Sequence, residues 1–205
     1  YGGIRFYERR EIKDMLAYLR LLANPRDLVS LARVINMPAR GVGPAAFKEI
    51  AKGLAKYDYN FSRLLNNLDK LELTPKATAG AREFLGLYSP LPNPPPQGEG
   101  NMKELHPARS AGGPRDGGGE VGVNLLDIID LLLGRSGYRT ELIKEGEEGQ
   151  TRLENIEQLI DVAAKYKNLS WSEGLPQFLE EVALMTDLDT ADEGGNKLTL
   201  MTLHS

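Results

Sequence analysis

The chain has 205 residues, a hydrophobic fraction of 41 % and a formal charge of −4. That suits one good core or two small ones and argues against a protein that coats nucleic acid by bulk charge. With no cysteine and two histidines, a disulfide framework or thiolate site is excluded and a His-rich metal centre nearly so. No apolar run approaches the roughly 20 residues that span a bilayer, so no membrane contact and a cytoplasmic setting are expected.

The first pattern is EIKDMLAYLRLLANP. It puts Ile12, Met15, Leu16, Leu19 and Leu22 on one helical face and keeps Glu11, Lys13, Asp14 and Arg20 polar, and Asn24-Pro25 ends it. Arg5, Arg9, Arg10 and Lys13 crowd its entrance among Glu8 and Glu11. Exposed ion pairs account for them, although cations at a helix start also suit an external anion. Leu28, Leu31, Ala32 and Ile35 mark a second helix stopping near Met37-Pro38, and a third carries Phe47, Ile50, Ala51 and Leu54. A fourth pattern runs from about Asn60 to Leu71, and a fifth opens after Thr74-Pro75 and reaches Leu87.

Residues 89 to 122 then hold more than half of the prolines and eight glycines, with few large apolar side chains. Such a segment buries too little surface to offset its ordering entropy, and is expected to be a disordered insertion. Periodicity resumes at NLLDIIDLLL, breaks at Gly134 and Gly137, and continues from Tyr138 to Ile143. It returns in TRLENIEQLIDVAAKY and in a last helix with Leu175, Phe178, Leu179, Val182 and Met185. The acidic stretch 187 to 193 reads as a solvated connection, and KLTLMTLHS as a short buried strand.

The connection Arg40-Gly41-Val42-Gly43-Pro44 is the most informative local feature. Two glycines let the backbone turn tightly and leave amides uncovered, while Pro44 suits the first position of a helix, so the turn resembles an anion site. Lys48, Lys52 and Lys56 recur every fourth residue downstream and place three ammonium groups on one stripe, along which a phosphodiester backbone could lie. The plainer alternative is a helical corner whose glycines permit close packing and whose lysines are a solvated face. His106 and His204 have no neighbouring ligands that would make a metal or nucleophilic constellation. There is no GxxxxGK[ST], no dinucleotide GxGxxG after a strand and no acidic DExx motif.

In order, YGGIRFYERREIKDMLAYLRLLANPRD, NMPARGVGP, GQTRLENIEQL and LTLMTLHS resemble the second half of a UvrD/PcrA/Rep-type superfamily 1 DNA helicase. The resemblance implies a mainly α chain, in which an all-helical 2B domain is inserted in a fragment of a RecA-like α/β domain of P-loop NTPase type, 2A. Residues 1–24 would belong to 2A with motif IV, 25–88 to the first part of 2B with a helix-hairpin-helix-like turn, 89–122 to the insertion, 123–194 to the second part of 2B, and 195–205 to the return into 2A at motif V. Arg40, Gly41, Val42 and Gly43 would grip the duplex backbone, with Thr151 and Arg152 of the TRxEN segment as a second duplex contact. Thr202, His204 and Ser205 would touch single-stranded DNA.

The same likeness implies ATP and Mg²⁺ for an intact 3′-to-5′ helicase of repair or replication, single- and double-stranded DNA as partners, and neither catalysis nor cofactor binding by this portion alone. Two alternatives stay open: a free-standing helix-hairpin-helix DNA-binding module, and the truncated product of a disrupted helicase gene. A start at Tyr1 without methionine and a stop inside an expected strand suggest a fragment.

Overall fold

A computed structural model describes residues 6–89 and 123–191, with side chains through Thr186. Among these residues the chain is helical, with nine α-helices and two short 3₁₀ turns. They are α1 (Arg10–Ala23), α2 (Leu28–Val34), α3 (Pro44–Lys56), α4 (Phe61–Leu65), α5 (Pro75–Gly86), α6 (Leu125–Arg135), α7 (Tyr138–Lys144), α8 (Glu147–Ala163) and α9 (Trp171–Ala191). The only β pairing among the described residues is an isolated bridge between Asn124 and Ser170. The strand expected over 197–205, the insertion expected beyond Ser89 and Arg5 lie outside the described residues.

Local chemistry starts these helices where the sequence puts its caps. The Asp27 side chain accepts from the Ser30 amide, Asn60 from Arg63, and Thr74 from Ala77, each satisfying an orphan amide of a first turn. Asn124 and Asp127 form a reciprocal capping box at the start of α6. The fourth pattern splits into α4 and a 3₁₀ turn at Leu68–Lys70, and α6 runs through Gly134 and breaks at Gly137, where φ is +75°. The acidic stretch expected as a connection is instead helical as far as Ala191, because α9 runs on from Trp171.

α1 is the central element. It packs against α2, α6, α8 and α9, and every residue from Glu11 to Leu21 except Lys13 and Arg20 is buried. Glu11 and Asp14, expected on a polar surface, are therefore inside at 4 % and 2 % exposure. Their burial is tolerated because each carboxyl group accepts hydrogen bonds within the protein. Asp14 accepts from Arg33 Nε at 2.7 Å and from the Tyr138 hydroxyl at 2.7 Å, and Glu11 accepts from Asn155 Nδ2 at 2.6 Å. Burial and then the Asp14 hydrogen bond push the Tyr138 hydroxyl far above its ordinary pKa, so it stays a donor. An aromatic chain runs from Phe61 of α4 through Tyr88 and Phe84 to Tyr18 of α1, with successive centroids 4.9, 5.5 and 6.2 Å apart. The two flanks of segment 90–122 are fastened separately. The Tyr88 hydroxyl donates to the Tyr18 carbonyl at 3.3 Å, and the Trp171 amide to the Val123 carbonyl at 3.1 Å.

Candidate nucleic-acid interface

The turn between α2 and α3 is built by one asparagine and one glycine. Asn36 Oδ1 accepts from the Arg40 amide at 2.8 Å and from the Val42 amide at 3.1 Å, which folds the backbone back on itself. Gly41 sits between them at φ +75°, in the left-handed region where a β-carbon is costly. A β-carbon there would also lie 2.7 Å from Lys76 Cγ, because the Lys76 stem crosses this glycine. Gly43 is different. Its φ of −83° and ψ of 179° suit any residue, and nothing stands within 4 Å of where its β-carbon would be.

Two of the amides expected to be uncovered are thus occupied internally, those of Arg40 and Val42. The open ones lie one step further on. α3 has no side-chain cap, no acidic residue in its first turn and Pro44 at its start, and the amides of Gly43, Ala45 and Ala46 bond no other described residue. This differs from α2, α4, α5 and α6, whose first turns are closed by side chains. Free amides and the positive end of a 13-residue helix together favour an anionic oxygen.

The charges around the turn sort into free and committed. Lys48 and Lys76 are exposed and make no ion pair with any described residue. Lys52 donates to Glu49 at 2.7 Å; this hydrogen bond and the Glu49 charge raise its pKa and partly neutralise it towards an outside anion. Lys56 lies over the Tyr57 ring at 5.8 Å, at the opposite end of α3 from the turn. Of the three lysines expected as a stripe, Lys48 is thus the one with no ion pair or ring contact to a described residue, and the Lys76 stem reaches the turn from α5. Lys76 was not legible as a partner of the turn because the contact spans 35 positions. A cation in the first turn of α5 opposes that helix's dipole, the one sequence signal that could have pointed to it.

Residues 1–205 match the profile of the UvrD-like helicase C-terminal domain. The chain belongs to that family. It is 34 % identical over 207 residues to the ATP-dependent DNA helicase PcrA of Staphylococcus aureus, and 31 % identical over 211 residues to PcrA of Bacillus subtilis. Each similarity covers 100 % of this chain and 25 % of the relative, so the chain spans a quarter of the length of these curated relatives.

In this UvrD-like chain the turn and the TRLEN segment do not form one surface of the same kind. Arg40, expected to grip the duplex backbone as part of the turn, has its guanidinium buried and facing inward onto Glu83, Met37 and Ser136. Thr151 is exposed but its hydroxyl donates to the Glu147 carbonyl at 3.2 Å. Arg152 is clamped between Glu145 and Glu148, and its side chain is only 20 % exposed. Asn155 is buried between Glu11 and Arg9. The cations at the entrance of α1 are likewise engaged internally, Arg9 with Asn155, Arg10 with Asp14 and Lys13 with Glu8. Thr202, His204 and Ser205 lie outside the described residues. No group of three or more His, Asp or Glu side chains is placed to hold a metal among the described residues, and no described helix is long and apolar enough to cross a membrane.

Proposed function

We propose that this chain is the 2A/2B portion of an ATP-dependent DNA helicase that moves 3′ to 5′ on single strands and unwinds duplex in repair or replication. Its role there is to hold the duplex backbone at the start of α3. The supporting observation is the first turn of α3, which has no side-chain cap and whose amides bond no other described residue. It follows a left-handed Gly41 crossed by the exposed Lys76, and α3 itself carries the exposed Lys48. Gly43 and the amides of Ala45 and Ala46 take a phosphate oxygen, and Val42 anchors the turn in the core. Thr202, His204 and Ser205 contact the single strand. ATP and Mg²⁺ serve the intact protein through motifs this sequence does not contain, so this portion binds neither alone. Residues 1–24 and 195–205 belong to 2A and the helices between them to 2B. The intact protein works in the cytoplasm on single- and double-stranded DNA.

Gly43→Asp tests the grip without disturbing the fold. Aspartate is a good N-cap, fits the extended backbone and meets no neighbour, so the melting temperature should hold or rise slightly. Its carboxylate takes the amides meant for phosphate. Duplex affinity, read by fluorescence anisotropy on a mixed-sequence hairpin, should fall about tenfold, or ~1.4 kcal/mol. Undiminished duplex binding by this variant would remove the α3 amides from the interface.

A further inference from the structure

We infer that Arg40 is a positioning residue for the duplex-contacting turn, acting from inside the fold and not at a phosphate. The inference rests on the duplex-grip reading above and assigns the turn's aim to a side chain that makes no DNA contact. The Arg40 side chain is 2 % exposed, and its donors are spread over three separate segments. Nη2 donates to the Ser136 carbonyl at 2.6 Å at the end of α6, Nη1 to the Met37 carbonyl at 2.8 Å before the turn, and Nε to Glu83 of α5 at 3.0 Å. The Tyr18 hydroxyl of α1 also donates to Met37, and the Phe84 ring lies 5.7 Å from the guanidinium carbon. One planar group thus ties the turn to a backbone carbonyl 96 positions away.

The backbone of the same residue is fixed as well. Its amide is bonded to Asn36, and its carbonyl lies against Gly80 so closely that any β-carbon at position 80 would overlap it. Glu83, which is 59 % exposed, compensates the buried charge from the surface side. Hydrogen bonds weaken steeply with distance and angle, so the direction of the Gly43, Ala45 and Ala46 amides depends on where this residue is held. A rigid fork of five donors can register several acceptors at once, whereas an ammonium group on a flexible stem cannot.

Arg40→Lys separates position from charge. Were Arg40 a phosphate contact, lysine would retain most duplex affinity and Arg40→Met would lose it. As a positioning residue, both variants should weaken hairpin-duplex binding about tenfold to the same degree, with binding to a single strand of equal length unchanged. Native-state hydrogen exchange supplies the readout that does not depend on DNA. The Val42 amide, bonded to Asn36, should exchange at least tenfold faster in Arg40→Lys, while the Leu159 amide in α8 keeps its rate. If the unaltered chain binds no duplex, the grip reading fails, and the Val42 rate still decides whether Arg40 sets the turn. Lysine that preserves duplex binding, or a Val42 rate that does not change, overturns the inference. Should Arg40→Lys not fold, Tyr18→Phe carries the test by deleting one hydroxyl from the same cluster, with about a threefold loss of duplex affinity expected and an unchanged affinity counting against it.

Discussion

The turn at 40–43 and the TRLEN segment at 151–155 carry the same kinds of groups and use them in opposite ways. At the turn, side chains are spent inward: Asn36 and Arg40 bond backbone, and the free donors are amides that face no neighbour. At TRLEN the polar groups are side chains engaged within the protein: Arg152 donates to two glutamates, and Asn155 donates to Glu11 and accepts from Arg9. A basic or polar motif thus indicates an interface only after its internal partners are subtracted. On the function proposed above, α3 is where DNA is held, while α8 is the staple that fixes the entrance of α1.

The sharpest way to break this contrast is to damage the staple. Asn155→Ala leaves the Glu11 carboxylate buried without its donor, which should cost about 2–3 kcal/mol of stability, seen as a lower midpoint in urea. Duplex affinity measured below the transition should stay within twofold, and a larger drop would show that TRLEN touches DNA after all. Gly43→Asp predicts the reverse pattern, a tenfold loss of binding at undiminished stability. Next in size is the salt dependence. Neutralising Lys48 or Lys76 to Gln should lower the log-log slope by about 0.9 each, while Lys52→Gln should lower it less because Glu49 already answers its charge. Equal slopes for all three would return the stripe to the simple form read from the sequence. Arg152→Ala should leave the slope unchanged.

The smallest effect concerns the clasp between the short 3₁₀ turn Ala164–Tyr166 and α9. The Tyr166 hydroxyl donates to Glu181 at 2.7 Å, and that bond first, with burial second, raises its pKa from 10.0 to about 12. Lys165 and Tyr166 together hold the Glu181 carboxyl below its ordinary 4.5. The raised tyrosine contributes stability that is complete below pH 10 and is lost as pH climbs towards 12. The depressed glutamate contributes stability present above pH 4.5 and lost as pH falls through its folded-state value. Glu181→Gln should flatten both limbs of a melting-temperature profile, and unaltered limbs would show that the clasp does not form in solution.

Much of the fold was legible because it is local. Asn24-Pro25 and Thr74-Pro75 mark helix ends that the structure keeps, and the caps by Asp27 and Asn124 found there act through atoms two or three residues apart. Glu11 and Asp14 were misread for the opposite reason. Their partners Asn155 and Tyr138 lie 144 and 124 positions away, and the spacing of one helix does not reveal what covers its polar side. The glycines of the turn read as a pair in the sequence but have unequal conformations, since only Gly41 lies at positive φ. Arg40 and Lys76 exchanged places for the same long-range reason: one is drawn inward by Ser136, and the other is delivered by α5.

Because Tyr88 and Val123 are each tied to a different helix, the flanks of segment 90–122 hold their own positions without help from one another. For an experimenter that makes this stretch an attachment site. A fluorophore, an affinity tag or a small reporter domain placed there would leave α3 and α1 to their work, and would turn the chain's least informative sequence into its most convenient handle.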